Sequence, residues 1–228
     1  MLQHLIKKDE GLRMVPIDRN QLATAVNGLH EELRALPTGT DPDRARVLTR
    51  WIGIGHMTLG DYPGARTFLR QALDLAAASG NGRAVVAIEL NLGDVYRYGG
   101  EVETAGGYYR SALASARAQH PDLVDFALQH TAKHLMEKGD LASSHAHLLE
   151  ALELRIAKGD AELITSTRAA VARVEVMLGP AGAGTVTATG GHAEPASGAR
   201  DKHRGSRPAP RSGRPNGGPR TFPPSEAP

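Results

Sequence analysis

Four glycines, Gly60, Gly100, Gly139 and Gly179, stand 40, 39 and 40 positions apart, and nothing else in the chain limits its fold as strongly. A fixed period of roughly 20 to 50 residues is the mark of one supersecondary unit copied and stacked, because a single unit cannot bury its own apolar face. The same ladder follows each of the first three glycines: Tyr62, Ala65, Leu69 and Ala72; then Val102, Ala105, Tyr109 and Ala112; then Leu141, Ser144, Leu148 and Ala151. Steps of three, four and three hold such side chains on one helix face, with small residues where a neighbouring helix must come close.

Around this ladder the punctuation is helical throughout. Leu22, Val26, Leu29, Leu33 and Leu36 form one stripe of a first helix that starts near Asp18 and ends at Pro37-Thr38-Gly39. Asp41-Pro42 offers an N-cap followed by proline at the first helical position. Further boundaries fall at Gly60-Asp61, Gly80-Asn81-Gly82, Gly99-Gly100, Pro121-Asp122, Gly139-Asp140, Gly159-Asp160 and Gly179-Pro180. The predicted fold class is all-α. Gly106 and Gly107 lie inside a predicted helix, at a cost of about 1 kcal/mol each relative to alanine, which suits either close packing or a weak repeat.

Leu92, Gly93, Tyr96, Gly100, Ala105, Tyr109 and Ala112 resemble the tetratricopeptide repeat pattern, in its long-period variety of bacterial signalling proteins and kinesin light chains. Departures are visible: His56 stands for the usual aromatic, Thr131-Ala132 for Leu-Gly and Ser144 for Ala. The resemblance implies an α-solenoid over residues 20–179, three helix pairs with an unpaired helix at each end. It is preceded by an N-terminal segment, 1–19, and followed by a disordered Gly/Pro/Arg-rich tail, 180–228.

The resemblance also implies that the first helix of each pair lines a concave groove. With the turn glycines in register, that surface carries Arg50, Trp51, Ile54 and Met57, then Asn91, Asp94, Arg97 and Tyr98, then Gln129, His130, Lys133 and Glu137. Such a mixed stripe suits an extended peptide or partner helix: amide and guanidinium groups bond a backbone or carboxylate, while Trp51, Ile54 and Tyr98 give apolar contact. In peptide-binding members, asparagine at the position of Asn91 holds the ligand backbone. The clamp for chaperone tails is not reproduced, since Ile54, Phe126 and His130 occupy three of its five polar positions.

The net charge of +2 conceals a division. Residues 180–228 hold 9 of the 26 glycines, 9 of the 14 prolines, seven of the 27 basic residues and three of the 25 acidic ones. The tail is therefore at +4 and the remainder, with 20 basic and 22 acidic residues, at −2. Such a segment buries too little surface to offset chain entropy, and with Phe222 as its one aromatic it lacks the stacking platform of a nucleic-acid binder. The absence of cysteine excludes disulfides, thiolate zinc sites and thiol catalysis. Met1 to Glu10 has no apolar signal core, and a cytoplasmic protein is the expectation.

No catalytic motif emerges and no cofactor is expected. The nearest approach to a metal site is His130 with His134, four apart on one helix, which would need His145 or His147 as a third ligand. The expected function is a non-catalytic scaffold for a protein or peptide partner. The alternative is the sensor module of a bacterial regulatory system that acts through a partner, with a metal-dependent enzyme behind both. An unpaired last helix exposes Leu163, Ile164, Val171, Val174 and Leu178. Either a homodimer through that helix or the first 19 residues folding back would cover it.

Overall fold

The computed structural model describes residues 1–37 and 39–182, with side chains to residue 179. Among the described residues eight α-helices follow one another: α1 (Arg19–Ala35), α2 (Pro42–Thr58), α3 (Tyr62–Ala78), α4 (Gly82–Tyr98), α5 (Val102–Gln119), α6 (Val124–Glu137), α7 (Leu141–Lys158) and α8 (Ala161–Gly182). Antiparallel neighbours α2 and α3, α4 and α5, and α6 and α7 pack as pairs, with α1 against α2 and α8 against α7. This is the all-α solenoid of three pairs and two flanking helices that the tetratricopeptide resemblance implies.

The turns explain why the spacing was so informative. Gly60, Gly80, Gly100 and Gly139 all take positive φ, between 66° and 84°, a conformation open to glycine because it has no Cβ. At each of the four the next residue's N–H reaches back five positions, as from Asp61 to His56 and from Glu101 to Tyr96, both at 2.9 Å. The glycine N–H reaches back three, which satisfies the carbonyls that a helix end leaves orphaned. The residue after the glycine then begins the next helix. Asp61, Asn81 and Asp140 each accept a backbone N–H of the first turn. The chain thus reverses without a loop. Gly179, with φ 68° and ψ 177°, breaks α8.

Between paired helices the ladder residues form the core. Ala65, Leu69 and Ala72, then Ala105, Tyr109 and Ala112, then Ser144, Leu148 and Ala151 are all buried. Two glycines take the knobs of the partner helix: a Cβ on Gly53 would meet Leu69 Cγ at 2.7 Å, and one on Gly93 would meet Tyr109 Cε1 at 2.5 Å. Gly106 lies close under His134, with Nε2 3.1 Å from the would-be Cβ, whereas Gly107 faces open space. Only the first of the two is therefore a packing glycine.

The N-terminal segment departs from the helical rule. A 3-10 turn (Gln3–Leu5) leads into strands β1 (Ile6–Lys8) and β2 (Met14–Pro16), antiparallel with Lys7 opposite Val15. Three-residue strands are too short to display an alternating pattern, so nothing in the sequence announced them. Leu2, Leu22 and Val26 make a small cluster with Ile6 and Trp51 beside it. The expected disordered tail, 180–228, lies outside the described residues except for its first three, which fall in α8. Among the described residues, no helix is long and apolar enough to cross a membrane.

Candidate functional site

The shared face of α2, α4, α6 and α8 centres on Asp94. Its Oδ1 accepts from Arg97 Nη2 at 2.9 Å and from the Tyr109 hydroxyl at 2.7 Å. His130 Nδ1 lies 2.9 Å from its Oδ2, close but not aligned for a hydrogen bond. Burial disfavours the charge on Asp94, yet His130, Arg97 and Lys133 outweigh it and hold the carboxyl well below the usual carboxylate range. Arg97 also donates to Tyr109 at 3.1 Å and to Glu137 Oε1 at 2.5 Å, and lies over the Tyr98 ring. Lys133, buried among Lys8, Arg97 and Arg155 with Asp94 as counter-charge, is pushed down to about 7 by desolvation first.

A second buried layer lies toward α8. Arg155 donates to Asp125 Oδ2 at 2.8 Å, to Gln129 Oε1 at 2.6 Å and to Thr167 Oγ1 at 2.6 Å, with the Phe126 ring beneath its guanidinium. Neither Arg155 nor Asp125 was foreseen. They are 30 positions apart and each reads locally as an ordinary helix charge.

The structure brings the sequence-derived groove residues onto one face, but it leaves only Glu137 exposed, with Arg50, Trp51 and His130 half-buried. Asn91, Asp94, Arg97, Tyr98, Gln129 and Lys133 are buried, and Ile54 and Met57 belong to the core. Asn91 accepts from Arg50 Nε at 2.8 Å and so is engaged within the chain. Trp51 is half-buried between two apolar clusters. The physical reason is the N-terminal hairpin, which lies over this face. Tyr98 Oη accepts the Met14 N–H at 2.7 Å. Arg13 donates to both oxygens of Glu137, at 3.2 and 2.9 Å, above the Tyr98 ring. Lys8 Nζ donates to Ser166 Oγ on α8 at 2.7 Å.

The same hairpin touches the last helix. Val171 and Val174 are buried in a cluster with Leu148, Met136 and Ala132, against which Leu12 and Leu178 pack. The fold-back of the first residues reaches this cluster through Leu12. The histidine pair finds different company. His130 sits against Asp94, and His134 lies 5.3 Å from the Tyr109 ring and over Gly106. Of the two further candidates, His145 faces Glu175 and His147 bonds the Ser143 carbonyl. No group of three or more His, Asp or Glu able to hold a metal occurs among the described residues.

Stacked helix pairs, glycine turns at a fixed period and a shared inner face define a helical-repeat solenoid protein. Residues 43–118 match the tetratricopeptide repeat family model. That stretch, a third of the chain, carries tetratricopeptide-like repeats. Its fold is similar to that of RapI in the apo form, with a TM-score of 0.58 at 14% identity over 70% of this chain and 45% of that one. The chain thus spans less than half of RapI's length. It is similar also to BtubC from P. vanneervenii (0.50, 17% identity, 82% of each chain). A Podosopora anserina kinesin light chain with nearly identical TPR-like repeats gives 0.50 at 15% identity, over 68% of this chain and 78% of that one. At such identities the likeness is one of fold. No curated protein matches the chain by sequence.

Proposed function

We propose that this chain is a non-catalytic interaction scaffold of the cytoplasm that binds a polypeptide segment on the shared face of α2, α4, α6 and α8. One observation carries the reading: that face already holds a polypeptide segment, its own residues 6–16, through a backbone N–H on Tyr98, an arginine on Glu137 and apolar side chains on either side. These are the contacts by which a groove takes an extended ligand. Arg50, Trp51, Ile54, Asn91, Asp94, Arg97, Tyr98, His130, Lys133 and Glu137 remain the candidate residues in two roles. Glu137 and Tyr98 meet the occupant and Trp51 packs on the same apolar clusters as Ile6, whereas Asp94, Arg97, Asn91 and Arg50 brace the floor. A charged cluster spent on its own members is a support for binding rather than a reacting centre.

A photo-crosslinking residue at Glu137, compared with one at the exposed Ile156 of α7, tests this reading in cells. Capture of the same polypeptide at Glu137 and not at Ile156 is the expected result; equal capture at both would sink it. A sensor acting through a partner uses the same face and is favoured by its being covered, since a ligand must then move part of the chain. A ligand-dependent change in small-angle scattering separates sensor from passive scaffold.

A further inference from the structure

The occupant is held firmly at one end and poorly at the other. Leu2 is 2% exposed and packs with Leu22 and Val26 under α1, and the Ile17 N–H bonds the Leu5 carbonyl at 2.9 Å. Between these anchors runs a hairpin of two three-residue strands, which has marginal stability by itself. At its turn Leu12 has φ 61°, the single non-glycine residue with positive φ among those described, a strained position for a γ-branched side chain. Lys8, at its other strand, is placed where burial and Arg155 both push its ammonium toward the neutral form.

The contacts it makes are nevertheless specific. Glu137 takes Arg13 through two nearly parallel bonds, a geometry that a lysine does not reproduce. Tyr98 reads a backbone N–H one residue further on. Leu12 enters the cluster of α6, α7 and α8, and Met14 packs on the main core beside Tyr98.

Resting on the reading of this face as a peptide site, we propose that residues 6–16 are a displaceable built-in ligand. The external partner is then a flexible segment of another protein that presents an arginine between two apolar residues, as Leu12-Arg13-Met14 does. A tethered occupant competes at an effective concentration on the order of millimolar. A free segment of the same chemistry enters only because the strained turn at Leu12 weakens that competitor. An external segment with the Arg-flanking pattern but without the left-handed leucine makes the same contacts unstrained.

The probe is a fluorescently labelled synthetic peptide with the sequence of residues 5–17, titrated into the full chain and into Arg13→Glu, whose hairpin is repelled by Glu137. Circular dichroism first establishes that the variant is folded. At least tenfold tighter binding to Arg13→Glu than to the parent, with loss of binding when the peptide arginine is replaced by glutamate, is the expected outcome. Equal affinity for parent and variant means that the face binds peptides but the hairpin does not gate it: this inference fails while the scaffold reading stands. No binding to either means that the Leu-Arg-Met chemistry is not what the face selects, and the inference fails again, with the crosslinking comparison at Glu137 left to judge the scaffold reading. Hydrogen exchange on the parent gives a second reading independent of the variant. Saturating peptide should speed exchange of the Met14 amide at least tenfold, and unchanged exchange under saturation overturns displacement. A concentration-dependent dimer that exchanges hairpins would replace the external partner with a second copy and overturn that assignment.

Discussion

Arg155 on α7 donates through Nε to Asp125 on α6 at 2.8 Å, and both side chains are wholly withdrawn from solvent. Taking one member away leaves the other's charge buried, which costs about 3–5 kcal/mol, whereas replacing both by apolar residues of similar volume is far milder. Asp125→Ala should therefore lower the urea midpoint by an amount corresponding to about 3–5 kcal/mol, and Asp125→Ala with Arg155→Met should recover most of it. Equal losses in the single and double variants would contradict this account. Gln129 and Thr167, which also bond Arg155, set how much remains.

Two helix glycines should respond in opposite directions. A methyl at Gly93 would stand 2.5 Å from Tyr109 Cε1, and the Tyr109 ring is fixed by its bonds to Asp94 and Arg97. Gly93→Ala is expected to destabilise by about 1–3 kcal/mol through overpacking. Gly107 meets nothing within 4 Å, and Gly107→Ala is expected to stabilise by about 0.5–1 kcal/mol through helix propensity. Thermal melts of the two variants, on either side of the parent, check both.

Stability should climb with pH above neutrality. Desolvation pushes the Lys133 ammonium down to about 7 in the folded chain, from an ordinary 10.5. Between those values the unfolded chain holds the extra proton, so the folded state gains as pH rises through the window, and the penalty is complete below 7. Tyr98 and Tyr109 work the other way above pH 10. Burial raises both, so the unfolded chain loses its phenolic protons first. Urea midpoints should rise from pH 7, turn over near pH 10, and lose most of the rise in Lys133→Met.

The Tyr98 hydroxyl that receives the Met14 N–H is a clean place to loosen the hairpin without touching the helices. Tyr98→Phe removes one acceptor, a net loss of about 1 kcal/mol, so exchange of the Met14 amide should quicken roughly fivefold while amides inside α4 keep their protection. Uniform acceleration across α4 would instead mean that the hydroxyl supports the whole repeat.

Turn glycines, caps and the ladder were legible because each acts within a few residues of its own position: Gly100 bonds Arg97 and Glu101 bonds Tyr96. The register of the inner face followed from the same marks. Its covering did not, since Met14 meets Tyr98 over 84 positions and Arg13 meets Glu137 over 124, and strands of three residues have no period to read. Asn91 and Arg50 looked like free ligands for the same reason: their bond to each other crosses 41 positions. Gly106 and Gly107 are indistinguishable in sequence, and only the position of His134 tells them apart.

The bond from Lys8 to Ser166 spans 158 positions, which gives the hairpin a history different from that of the helices. A ribosome adds about 5–20 residues per second, so roughly 8 to 30 s pass between synthesis of Lys8 and of Ser166. Each helix pair can close within its own stretch of chain during that interval, but the hairpin's last berth is not yet made. The newborn protein therefore passes through a stage in which the hairpin can already meet Tyr98 and Glu137 but lacks its contact on α8, when a waiting partner competes with a more loosely held occupant.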